Sequence, residues 1–290
     1  MNPAKQPAFI VIGAVKAATT WTSHNLGLNP SLFVPGPEPH YFSTEYERGP
    51  SWYETFFVEA KPTDMIGEKS ADYLAHPHAA KRIANDLPDA KLIVQFRNPV
   101  DRAYSDYCML YRRGTVRRTP EKYFMEASDH SDRFLKSGLY AESLGRFLDH
   151  FPRENIQVFL YEDIKDEPEE TLKAMAHFLG VEPHIPEDGF TKRQNDGEAA
   201  LLPLGMREAL KPFKSAVAPL RGNPLFEKTR GIFARPPKYP PLDPGSRDFL
   251  KAYYRDDLKL LGEMIGRDLS CWLEEETNLK SARSDDASAA

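Results

Sequence analysis

Apolar runs of strand length recur through the first two thirds of the chain. FIVIG at Phe9–Gly13, KLIVQF at Lys91–Phe96 and IQVFLY at 156–161 are short and rich in β-branched or aromatic residues. Such continuous runs suit strands buried on both faces. Weaker runs at 32–34 and 65–68 read as two short strands. Between them, apolar positions return at helical spacing over 20–28, 77–86, 100–112, 139–150 and 168–179. Pro77 opens the second of these, Pro99 precedes the third, and Gly180 ends the fifth; proline suits a first helical turn and glycine a C-terminal one. Within 139–150, Leu139, Leu144, Phe147 and Leu148 form the apolar stripe. Strands alternating with helices of this length predict an α/β fold with a parallel sheet flanked by helices. Ligands of such sheets bind at the carboxyl ends of the strands.

The pattern weakens over 189–244, where proline is frequent and an irregular region with short helices is expected. A last helix is expected over 244–264, packing through Phe249, Tyr253, Leu260, Leu261 and Ile265. No internal repeat is visible. The polar end, closing on SARSDDASAA, is expected to be a disordered tail over 277–290 behind one domain spanning 1–276.

Composition narrows the function. A formal net charge of -5 over 290 residues argues against a general nucleic-acid binder. Two cysteines, Cys108 and Cys271, make no disulfide framework and are too few for a structural zinc site. The first apolar run reads as a strand rather than a signal peptide, and no run reaches the roughly 18 residues of a membrane span, so no membrane partner and a cytoplasmic protein are expected. Histidines 24, 76, 78, 130, 150, 177 and 184 show no metal-ligand spacing, and no metal is expected.

The chemistry begins at FIVIGAVKAATTW, where a turn follows a strand and precedes a helix. Free backbone N–H groups and the helix dipole make this an anion site. A nucleoside-triphosphate loop would read GxxxxGK[ST], with lysine at the helix start. Here Lys16 lies inside the loop, followed by Ala17, Ala18, Thr19 and Thr20. Small residues admit an anion to the backbone, threonines add hydroxyls, and the lysine can reach a bridging oxygen where charge grows as a bond breaks. The blander reading is a strand–loop–helix with a solvated lysine. A second element is KLIVQFRNPVDRAYSDY: Arg97 directly follows a buried strand and Ser105 lies eight residues on, in the next helix. Arginine offers phosphate a planar fork and serine one more donor. The competing reading pairs Arg97 with Asp101 and leaves Ser105 to solvent.

Together the two elements resemble the PAPS-dependent sulfotransferase family, PAPS being 3′-phosphoadenosine 5′-phosphosulfate. The first looks like its 5′-phosphosulfate loop and the second like its 3′-phosphate motif. PEPHYFSTEYERGPSWYETFF, GEKSADYL and SGLYAESLGRFLDHFPRENIQVFLYEDI extend the resemblance to the heparan sulfate sulfotransferase branch, and LDPGSRDFLKAYYRDDLKLLGEMIGRDLSCW is similar to bacterial members. The likeness is close over 8–180 and looser over 240–273. It implies a P-loop-like sheet, PAPS as co-substrate, no metal, and direct in-line transfer of a sulfuryl group to a hydroxyl or amine, with carbohydrates and small molecules among the acceptors. It implies a donor site of Lys16, Ala17, Ala18, Thr19, Thr20, Trp21, Arg97, Ser105 and Tyr140. Glu38 falls on the E-x-[HQ]-[FY]-F position of the base, with His40 as neighbour or alternative base. Lys69 falls at the donor–acceptor junction, and Glu68 is a partner of a loop cation or takes a direct role, with a strand-edge ion pair as the competing reading.

Two departures stand out. Ala17 and Ala18 replace the family's usual Gly and Thr or Ser, and alanine still permits close approach. The late nucleotide-contacting loop has no clean match, TKRQND at 191–196 being the substitute. Arg112, Arg113, Arg117, Arg118 and Lys122 form a basic run that reads first as a solvated helix end and second as a cradle for an anionic acceptor. The other functions weighed are a P-loop-like nucleotide kinase or other phosphotransferase, and a non-catalytic nucleotide binder.

Overall fold

The computed structural model describes residues 5–126, 128–187, 190, 200 and 234–274. The proline-rich expectation over 189–244, the TKRQND loop and the tail fall largely or wholly outside them.

The described chain runs β1 (Phe9–Gly13), α1 (Thr19–Gly27), β2 (Leu32–Phe33), α2 (Pro50–Tyr53), β3 (Met65–Lys69), α3 (Ala79–Asp86), β4 (Lys91–Phe96) and α4 (Pro99–Arg113). There follow α5 (Glu121–Phe124), α6 (Ser131–Leu135), α7 (Tyr140–Leu148), β5 (Ile156–Leu160), α8 (Tyr161–Asp166), α9 (Pro168–Leu179) and α10 (Pro244–Ile265). The strands form one sheet in the order β2-β3-β1-β4-β5, and every pairing is parallel. This is the expected α/β architecture. All five residues of β1 are buried, which explains why its sequence shows no alternation. The central position of β1, between β3 and β4, brings the loops after all three strands to one edge.

Most expected elements recur within two residues. β5 stops at Leu160 because Tyr161 starts a helix, and the Asp163 side chain accepts from the Leu160 N–H at 3.0 Å. The helices of four to six residues, α2, α5, α6 and α8, went unread because they are too short to display a period. The last helix is placed correctly and packs partly through the expected positions, Leu261 being buried and Phe249 and Ile265 lying partly buried against the core. Leu250, Tyr254, Leu258 and Leu261 are buried, whereas Tyr253 is 37% and Leu260 51% exposed. The reason is polar. Tyr254 donates to the carbonyls of Phe134 and Leu135 at 2.9 and 3.0 Å, and Asp257 accepts from the Ala141 and Glu142 N–H groups at 3.0 and 3.2 Å. The Asp257 bonds cap the start of α7, the Tyr254 bonds tie to the end of α6, and together they fix the rotation of α10. Among the described residues no helix is long and apolar enough to cross a membrane.

Candidate active site

The loop after β1 is held open by its backbone. Gly13 has φ 142°, and a Cβ there would lie 2.6 Å from the Ala71 carbonyl oxygen and 2.9 Å from Leu74 Cβ. Only glycine lets the segment after β3 cross this close. Lys16 and Ala18 are left-handed, with φ 72° and 68°. Ala14 N–H donates to the Gln95 carbonyl at 2.7 Å, anchoring the loop to β4. Ala18 is the N-cap of α1 and brings no side-chain acceptor. The first turn of α1, with Thr19, Thr20 and Trp21, therefore keeps N–H groups that the helix itself does not satisfy. Thr19 is buried, and the Trp21 ring packs against Phe190 at 5.4 Å.

Lys16 makes no ion pair among the described residues. Burial pushes its ammonium below the usual lysine range; Asp106 opposes this, while Arg97 and Arg113 reinforce it. A cation under such pressure gains from an anion brought in from outside.

Arg97 follows β4 and reaches across to the same loop. Its Nη1 donates to the Lys16 carbonyl at 3.3 Å, and its guanidinium lies 4.5 Å over the Tyr161 ring. The Tyr140 hydroxyl donates to the Arg97 carbonyl at 3.0 Å, so Tyr140 positions the backbone from which Arg97 projects. Arg97 does not pair with Asp101, which instead lies 3.6 Å from Arg247. Ser105 is half-buried on α4, and its hydroxyl makes no hydrogen bond among the described residues.

The segment leaving β3 carries the other half of the site. Lys69 is nearly buried and donates to Glu38 Oε1 at 2.5 Å. Ala71 N–H donates to Glu38 Oε2 at 3.1 Å, so both carboxylate oxygens are engaged. Ser70 Oγ accepts from the His40 N–H at 3.0 Å, and His40 is left-handed at φ 53°. His40 Nδ1 lies 2.7 Å from Asp72 Oδ1. That hydrogen bond raises the imidazole pKa above its ordinary value against the opposing effect of burial. Burial alone would raise Asp72; hydrogen bonds from His40 and Ser43 outweigh it and hold the carboxyl below its usual range. Ligand-type atoms of Glu38, His40 and Asp72 lie within 4.8 Å of one another. Bonds from Lys69, Ala71 and His40 already engage them, and the cluster is a hydrogen-bonded array.

Glu68 corrects the sequence expectation, because among the described residues it pairs with no cation. It is fully buried, accepts from the Tyr53 hydroxyl at 3.0 Å and from Ser70 Oγ at 2.9 Å, and its pKa is pushed up to about 7 by burial. Three hydroxyls, including that of Tyr73, serve it instead of an ammonium. The basic run is mostly solvated: Lys122 pairs with Glu126, and Arg117 bonds the Gly114 carbonyl at 3.5 Å. Asp72 was not singled out from the sequence, although it stands three residues after Lys69 within GEKSADYL. Its partner is 32 positions away and only the fold brings them together.

The family model described as "Sulfotransferase domain" matches residues 6–194. The human "Bifunctional heparan sulfate N-deacetylase/N-sulfotransferase 3" is 30% identical, covering 93% of this chain and 31% of the relative. The human "Heparan sulfate glucosamine 3-O-sulfotransferase 6" is 30% identical, covering 63% of this chain and 55% of the relative. The chain thus spans about a third to a half of the length of these curated relatives. The fold is similar to that of the sulfotransferase from Alicyclobacillus acidocaldarius, with a TM-score of 0.69 and 24% identity over 93% of this chain and 99% of that one. Matched over most of its described length and carrying the lysine loop, the strand-end arginine and the Glu38–Lys69 pair at one sheet edge, the chain belongs to the sulfotransferase domain family.

Proposed function

We propose that the protein transfers a sulfuryl group from PAPS to a hydroxyl or amine of a glycan acceptor by direct in-line displacement. The observation that carries this reading is the juxtaposition, at the carboxyl ends of β1, β3 and β4, of a cation with no ion pair among the described residues (Lys16) and a carboxylate held by a lysine (Glu38 on Lys69).

The loop N–H groups and the Thr19 and Thr20 hydroxyls receive the 5′-phosphosulfate, with Ala17 and Ala18 leaving room for it. Arg97 and Ser105 take the 3′-phosphate, Tyr140 holding the Arg97 backbone and Trp21 standing beside the loop. An acceptor oxygen or nitrogen attacks sulfur as the bond from sulfur to the bridging phosphate oxygen breaks. The leaving phosphate departs with the electron pair, and Lys16 stabilises its charge. Glu38, with His40 beside it, takes the acceptor proton, and Lys69 orients that carboxylate. The glycan assignment rests on the two heparan sulfate sulfotransferase relatives. A kinase would need a lysine and hydroxyl at the helix start, and this loop places Ala18 and Thr19 there.

The test is transfer of labelled sulfate from PAPS to chemically de-N-sulfated heparin and to completely desulfated heparin. Transfer to either polymer, and none from ATP to them, is expected. Phosphoryl transfer from ATP without any sulfuryl transfer would overturn the proposal.

A further inference from the structure

His40 is held by more contacts than a loop histidine needs. Its backbone is left-handed, a conformation that a Cβ disfavours. Four bonds keep it there. Its N–H donates to Ser70 Oγ at 3.0 Å, and its carbonyl accepts from Ser43 N–H, Ser43 Oγ and Glu45 N–H at 3.2, 3.0 and 3.1 Å. The side chain is 42% exposed, so burial of the ring does not explain this arrangement. What the arrangement secures is the contact of Nδ1 with Asp72 at 2.7 Å. Three consecutive residues after Lys69 serve the site together: Ser70 holds the His40 backbone, Ala71 holds Glu38, and Asp72 holds the His40 ring.

A carboxylate on Nδ1 requires the proton to sit on that nitrogen. Nε2 then carries the lone pair, and it has no hydrogen-bond partner among the described residues. Both oxygens of Glu38, in contrast, already accept bonds from Lys69 and Ala71. We propose that Asp72 is a positioning residue of the transfer reaction: it fixes the His40 imidazole in the Nδ1–H tautomer and leaves Nε2 as the nitrogen that takes up the acceptor proton beside Glu38. The proton leaving the acceptor passes to the Glu38 carboxylate and on to His40 Nε2, Nδ1–H stays with Asp72, and the resulting imidazolium is stabilised by that carboxylate. This deepens the proposed sulfuryl transfer and rests on it for the kinetic consequence, while the tautomer is a property of the free protein.

The charged groups facing His40 are Asp72, Glu38 and Glu68, with Lys69 on Glu38. All three carboxyl groups act to raise its pKa against burial, so losing Asp72 moves the acidic limb of a rate profile to lower pH.

The experiment has two arms on the full chain. Nitrogen-15 NMR of labelled protein reads the His40 tautomer in the wild type, in Asp72→Asn and in Asp72→Glu. Labelled-PAPS transfer to de-N-sulfated heparin gives kcat and the KM for PAPS across pH. The wild type is expected to show Nδ1–H. Asp72→Asn should lose it, lower kcat on the order of 10- to 100-fold with the KM for PAPS unchanged, and shift the acidic limb downward. Asp72→Glu should recover part of the rate and of the tautomer. An Nε2–H tautomer in the wild type overturns the proposal even if no heparin acceptor is sulfated. So does a folded Asp72→Asn variant with wild-type kcat and profile. Absence of transfer by the wild type alongside an Nδ1–H His40 counts against the sulfotransferase reading and leaves the positioning claim supported by its own measurement.

Discussion

The two halves of the site handle charge in opposite ways. On the β1/β4 side, among the described residues, Lys16 has no ion pair and Arg97 contacts a carbonyl and a tyrosine ring without a carboxylate partner. On the β3 side every charge is answered within the protein: Lys69 by Glu38, His40 by Asp72, and Glu68 by three hydroxyls. Unanswered cations at a sheet edge are a surface prepared for an anion that arrives from solution. An internally compensated array is prepared instead to hold geometry and to move a proton without changing its net charge. The donor half should therefore reveal itself through binding, and the acceptor half through rate and pH.

The sharpest way to break this contrast is at Glu38. Glu38→Gln should cut turnover by about 10²–10⁴ while leaving affinity for adenosine 3′,5′-bisphosphate nearly intact, since the hydrogen bonds of Glu38 go to Lys69 and Ala71 on the β3 side. Single-turnover transfer with His40→Ala alongside checks it. A Glu38→Gln enzyme at near-full rate beside an inactive His40→Ala would move the primary base to the histidine.

Next in size is Glu68. Its pKa is 4.5 when free and about 7 in the folded chain, so between those values the folded state holds a proton that the unfolded state has lost. Stability therefore falls as pH rises through that window, by about 3 kcal/mol for this one group. Glu68→Gln retains an acceptor for the Tyr53 hydroxyl and carries no charge. Urea unfolding at several pH values should show a steeper decline between pH 5 and 7 for the wild type than for the variant. Parallel curves would mean that Glu68 ionises at no cost inside the fold.

Smaller effects are expected on the donor side. Arg97→Ala should weaken binding of adenosine 3′,5′-bisphosphate by about 1.5–3 kcal/mol, the scale of a charged hydrogen bond. Ser105→Ala should cost about 0.5–1.5 kcal/mol. Calorimetry reads both, and unchanged affinity in a folded Arg97→Ala protein would remove this arginine from the phosphate site.

The same contrast explains what could be read from the chain alone. The proposed donor half is legible because each of its two elements is local: the lysine loop lies within 9–21 and the strand-end arginine with its helix within 91–107. β1, β4 and α9 are legible for the same reason: β1 and β4 are clear apolar runs, and Pro168 and Gly180 bound α9. The acceptor half joins residues more than 30 positions apart, as Glu38 to Lys69 and His40 to Asp72. Resemblance named Glu38, His40 and Lys69, but no spacing names Asp72. Glu68 reads from sequence as an ion-pair residue, whereas β3 lies inside the sheet and surrounds this side chain with the hydroxyls of Tyr53, Ser70 and Tyr73. On α10 the hydrophobic pattern points to Phe249, Leu261 and Ile265, which pack on the core, but also to Tyr253 and Leu260, which are exposed because Tyr254 and Asp257 set the rotation through polar contacts.

The central claim is that the unanswered cations form a site for a nucleotide phosphorylated at both ends, and calorimetry against two nucleotides tests it most directly. Adenosine 3′,5′-bisphosphate places one phosphate on the Lys16 loop and the other on Arg97, while ADP offers the second element nothing. The account predicts that the bisphosphate binds at least tenfold more tightly than ADP, about 1.4 kcal/mol, and that Arg97→Ala removes most of that preference. Equal affinities for the two nucleotides, or a preference untouched by Arg97→Ala, would contradict it.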